Sequence, residues 1–203
     1  MAFPPRIERF AGNGEDASNI TPMPSMVGPY QPSLLRVLHG AAALLVGLAW
    51  VTGLVLLGGL DGRFGRLPFA ADGDWIELHG HLGVVLALVL VLFGAYATTL
   101  GAFRLRRIGN LLPLLALVLA VGSGLLMQED WLVDQRQIAP IYGVHLTAWL
   151  LLALTVPAHL VATLRRGGWP LATSIWSLRL HPNDGPAHWP AQVVRFLKRG
   201  PKL

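Results

Sequence analysis

Four apolar runs, each about long enough to cross a bilayer, leave this chain few choices of fold. A helix crosses the hydrocarbon core with about 20 residues, and a chain in lipid must satisfy its backbone hydrogen bonds internally. The runs are Leu34–Leu60, Leu78–Leu100, Gly109–Met127 and Tyr142–Leu164, and none contains Asp, Glu or Cys. They predict an all-α fold, a four-transmembrane-helix bundle. Charged residues make up 13% of the chain, against about a quarter in a soluble domain, so the chain is poor in charge for a water-soluble fold.

The rest of the chain orients these spans. Met1–Gln31 is rich in Pro, Gly, Asn and Ser and lacks the apolar segment of a cleaved signal. It reads as an irregular N-terminal arm, followed by a membrane domain over 32–166 and a basic tail over 167–203. Arg104, Arg106 and Arg107 lie between spans two and three, and Arg165, Arg166, Arg179, Arg195, Lys198, Arg199 and Lys202 follow span four. Asp61, Asp72, Asp74 and Glu77 lie in the first loop, and Glu129, Asp130 and Asp134 in the last. Positive charge collects on the cytoplasmic side, so both termini are expected there, in a bacterial plasma membrane or a thylakoid. The net charge of +5 is thus assigned to membrane lipid and not to nucleic acid. Trp189 to Leu197, with Arg195, Lys198 and Arg199, has the composition of an interfacial helix; a docking surface for a soluble partner is the alternative. Pro113 is expected in the first turn of span three, where a missing N–H costs least, and Pro157 is expected to bend span four.

Ionisable groups inside a span are costly and mark functional sites. Five of the seven histidines, His39, His79, His81, His145 and His159, lie in or at the mouth of a span. His145 and His159 are fourteen residues apart, which places them on one helix face roughly 21 Å apart along the axis. The alternating direction of the spans puts His39 at the depth of His159, and His79 or His81 at the depth of His145. Two bis-histidine sites stacked across the bilayer result. Two facing imidazoles without carboxylate or thiolate suit haem iron better than zinc or copper, which want further ligands. Without cysteine, covalent haem attachment is excluded. Gly40, Gly47, Gly53, Gly83, Gly94, Gly122 and Gly124 would let a flat macrocycle approach the backbone, although small residues in membrane helices also serve packing alone.

The motifs L-H39-G, H79-G-H-L-G83 and H145-x13-H159 resemble the di-haem b cytochromes, most closely the bacterial cytochrome b561 group, over about Gln31 to Arg166. The stretch from Trp75 to Gly80 also looks like cytochrome b/b6-domain proteins of oxygenic photosynthetic bacteria. The resemblance implies two haem b (protohaem IX) groups stacked across the bilayer. Axial ligands would be His39, His79, His145 and His159. The family motif, with glycine four residues on, favours His79 over the alternative His81. Arg36, one turn before His39, is a candidate for a haem propionate or a topology anchor. The implied activity is transmembrane electron transfer, alone or as the cytochrome subunit of an oxidoreductase, linked to a quinone or a redox partner protein. A histidine-ligated pigment or metal carrier, or a structural subunit of a membrane complex, is the alternative.

Overall fold

A computed structural model describes residues 29–61, 65–66, 73–128 and 135–199. The arm up to residue 28, and Asp72, Glu129, Asp130, Trp131, Asp134 and Lys202, lie outside them. The described residues are mostly helical, with no strand among them: α1 Ser33–Leu56, α2 Trp75–Thr98, α3 Ala102–Leu105, α4 Ile108–Gln128, α5 Gln135–Thr173 and α6 Trp189–Arg199. Four are long and apolar enough to cross a membrane: Ser33–Gly59, Trp75–Thr98, Ile108–Gln128 and Pro140–Trp176. The protein is a membrane protein built as an all-helical four-span bundle.

Small residues decide which helices touch. Ala116 and Ala120 of α4 and Ala148 of α5 are buried, Ala148 completely, together with Leu86, Leu90, Leu117, Val121 and Leu152. Alanine lets two helix backbones approach closely in lipid, where packing has to supply the attraction. Accordingly α4 and α5 form the most extensive pair, and α1 packs on α2. The backbones of α1 and α5 hardly approach one another. Large side chains such as Leu44, Leu88, Val91, Leu115 and Leu154 point outward and are exposed, as the lipid-facing surface of a bundle requires.

One backbone detail departs from expectation, and a second was not foreseen. Hydrogen bonds from Asn110 and Leu111 N–H to the Arg107 carbonyl (2.8 and 3.1 Å) start α4 early. Pro113 is therefore its sixth residue and not in its first turn, so the missing N–H costs α4 one internal bond. In α5 the backbone leaves the helical region at Gly168 (φ 62°, ψ −163°), and Pro157 lies inside the helix. Positive φ is accessible to glycine without steric cost, so the break falls where the sequence permits it.

The tail folds back on the start of α1. Pro32 offers this helix no side-chain cap, and Asp184 supplies one from 151 residues away, accepting from Ser33 N–H at 2.7 Å. A carboxylate at a helix N-terminus meets free N–H groups and the positive end of the dipole. Asp184 also accepts from the Tyr30 hydroxyl and, at 3.1 Å, from Gln192. The Ser33 hydroxyl donates to the Asp184 carbonyl and accepts from Trp189 Nε1 at 2.8 Å. Arg36 is buried beneath this clasp, donates to the Ser177 carbonyl and lies 5.3 Å from the centre of the Tyr30 ring.

Burial pushes the Asp184 carboxyl up, but hydrogen bonds from Tyr30, Ser33 and Gln192 outweigh it and hold the group below its usual value of 3.8. A depressed folded-state pKa means that the clasp's contribution is complete above that value and is lost as pH falls below it. Asp184→Ala should release the tail and cost about 1–3 kcal/mol. Protease cleavage between Gly168 and Trp189 at neutral pH, measured against the parent, checks this; equal resistance would mean that the clasp does not hold the tail.

Candidate functional site

The bundle brings the span histidines together in two pairs. His39 of α1 faces His159 of α5, with ring centroids 6.1 Å apart and planes inclined by 35°. His79 of α2 faces His145 of α5 at 6.0 Å and 85°. His81 goes elsewhere: its side chain is 73% exposed, with Nδ1 4.0 Å from Glu77 one turn earlier. His181 packs edge-on against Tyr30 in the tail.

Three of the four paired imidazoles are held by Nδ1. His145 Nδ1 lies 2.9 Å from the Ala120 carbonyl and 3.1 Å from Ser123 Oγ. His159 Nδ1 lies 2.9 Å from the Gly109 carbonyl. A carbonyl can only accept, so in both rings Nδ1 donates, and in the neutral imidazole this leaves the Nε2 lone pair available. His79 Nδ1 lies 2.8 Å from Thr52 Oγ1. That hydroxyl is within 3.1 Å of the Leu48 and Ala49 carbonyls, to which it donates, and so it accepts from His79. Orienting an imidazole through its second nitrogen is how proteins prepare a metal ligand. His39 Nδ1 is buried and has no partner among the described residues.

The source of the Gly109 carbonyl is the part that sequence reasoning missed. In a helix it would accept from the N–H of residue 113. Residue 113 is proline, so the carbonyl is free for His159. At the other pair, a Cβ on Gly124 would stand 3.2 Å from His145 Cε1, a contact that leaves the ring little room. Span three, which contributes no histidine, thus orients both histidines of span four. A proline four residues after a glycine was the visible signal, but its meaning depends on which helix lies alongside.

A cavity of about 520 Å³ surrounds the His79–His145 pair, lined mainly by apolar residues including Val46, Leu86, Leu117, Val121, Leu125 and Leu152. Gly53, Gly83 and Gly124 line it too, and nothing lies within 4 Å of where a Cβ on Gly83 would stand. The other glycines divide: Gly40 lies against the Trp176 indole, while Gly47, Gly94 and Gly122 have open space beside them and do not line this cavity. Trp50 and Trp149, readable from sequence only as aromatic residues within spans, stack at 4.8 Å with planes 4° apart. Trp149 follows His145 by one helical turn, so the indole pair lies between the two histidine pairs on the α1–α5 side.

The donor set fits a group that takes two axial imidazoles. Two imidazoles bound on opposite sides of one metal, at about 2 Å per nitrogen–metal bond, hold their ring centres about 6 Å apart. Both pairs meet that spacing. Among the described residues no three or more His, Cys, Asp or Glu converge, so neither pair belongs to a larger polar metal cluster. The chain matches no family model, no curated protein and no solved structure, and the resemblance to b cytochromes therefore rests on its own motifs and on this geometry.

Proposed function

We propose that this protein is a transmembrane electron carrier holding two b haems, one between His79 and His145 and one between His39 and His159. The observation that carries the reading is the pair of 6 Å imidazole separations within one bundle. A second strand of support is the orientation of His145 and His159 by carbonyls that engage Nδ1 and leave Nε2 free of them. Bound haem supplies a one-electron couple at its iron. With two imidazoles facing one another at each site, the pairs would hold the group from both sides and would leave no position on its metal for dioxygen or substrate. The mainly apolar lining of the cavity around His79 and His145 lowers the local polarity, which favours the less charged of two redox states. Arg36 retains a buried Nε without a partner among the described residues, a donor available to a propionate of the group beside His39.

Orientation belongs to the same proposal. Arg36, Arg104, Arg106, Arg107, Arg165 and Arg166 gather where α1 begins and α5 ends, which makes that face cytoplasmic by the distribution of positive charge. A quinone or a redox partner protein at either face is supplied by the resemblance alone.

The test is a dithionite-reduced minus oxidised spectrum of purified protein made under haem-replete conditions, with a pyridine haemochrome assay. Two b haems per chain are expected. Folded protein without haem would end the electron-transfer reading and leave a pigment-binding or structural role.

A further inference from the structure

The helix α6 uses only one edge of its apolar face. Trp189, Gln192 and Phe196 are half-buried and, at about 100° per residue, lie within roughly 60° of one another around the axis. Val193, Val194 and Leu197 occupy the adjoining arc and are 41%, 48% and 70% exposed. Lys198 and Arg195 follow beyond it. An apolar arc bordered by cations is the pattern of a helix lying in the headgroup region.

Its position agrees. Trp189 and Gln192 are tied through Ser33 and Asp184 to the first turn of α1, and Ser33 is also the first residue of a 27-residue membrane span. The clasp therefore holds α6 at the level where hydrocarbon begins. The chain leading to it also carries exposed apolar side chains: Trp176 is 59% exposed, Leu178 94% and Leu180 57%. Arg165, Arg166 and Arg179 lie in the same part of the chain, and the one described acid there, Asp184, is consumed by the clasp.

We infer that Val193, Val194 and Leu197 of α6, rimmed by Arg195 and Lys198, form a docking surface for the anionic lipid leaflet around the start of α1. A basic side chain near an anionic surface strengthens its partitioning by about fivefold, and salt screens the effect. The inference needs the four spans and the clasp, and it stands whether or not haem is bound.

The chain contains no cysteine, so Leu197→Cys and Ala191→Cys in the full-length protein give single spin-labelling sites, both on exposed positions. Reconstitution in phosphatidylcholine, and in a phosphatidylcholine–phosphatidylglycerol mixture, allows collision with oxygen and with a water-soluble nickel chelate to be compared. The expected result in the mixture is a label at 197 reached by oxygen and shielded from nickel, with the label at 191 open to nickel. High salt, or Arg195→Gln with Lys198→Gln, should reverse the shielding at 197. A label at 197 open to nickel in both membranes overturns the inference. So does a label that becomes shielded only when an acidic soluble protein is added, which would make α6 a protein-docking surface.

Discussion

His145→Ala is expected to lower the haem content from two per chain to one, leaving the His39–His159 site occupied. Both imidazoles of a pair bind the same metal in the proposed arrangement, so loss of one opens an axial position and removes half of the protein's hold on the group. The effect stays local because His145 and His159 stand roughly 21 Å apart along α5, with Ala148 and Leu152 packed in between. His79→Ala should have the same consequence, whereas His81→Ala should leave both haems in place, its ring being exposed and engaged only with Glu77. Haemochrome assay and difference spectra of the three variants decide the matter. Loss of haem in His81→Ala with retention in His79→Ala would reverse the assignment of the α2 ligand.

The second large effect is expected from a residue that touches no cofactor. Pro113→Ala returns an N–H to α4 directly below the Gly109 carbonyl, and the helix then competes with His159 for that acceptor. An internal proline costs a helix about 3 kcal/mol, so the variant should unfold at a higher temperature than the parent. Loss of the bond that orients a metal-binding histidine typically weakens metal affinity by about 10–100-fold. The variant should therefore be more stable and yet retain haem at the His39–His159 site poorly. Thermal unfolding and haem titration of the same preparation measure both signs. Unchanged haem retention in a stabilised variant would mean that the Gly109 carbonyl does not position His159.

How much of this could be read from the residues differs by level. The four spans were legible because lipid imposes a length and an apolar composition that no soluble element needs. The depth matching of the histidines was legible because alternating spans and a 1.5 Å rise per residue convert sequence number into height. Within span two, His79 and His81 are two residues apart and the rise barely separates them. The motif with glycine four residues on favours His79, and the packing of α2 places His79 against Thr52 and His145 and leaves His81 outside with Glu77.

Orientation about the bundle axis was the part that needed tertiary structure. Periodicity within one helix says which residues share a face, but nothing about which neighbour that face meets. The role of Pro113 depends on α5 lying against α4, where buried Ala116, Ala120 and Ala148 let the backbones close in. The clasp at Asp184 is further from reach still, since it joins residues 151 apart in the chain, and no local pattern records such a pairing. Sequence alone determined that this chain has four segments long and apolar enough to cross a membrane, with histidines near both ends of the bundle they form, because solvent polarity and helix geometry act residue by residue. Which nitrogen each histidine offers, and what holds it, was decided only when the helices packed, because hydrogen-bond partners across a bundle depend on neighbours that the linear order does not specify.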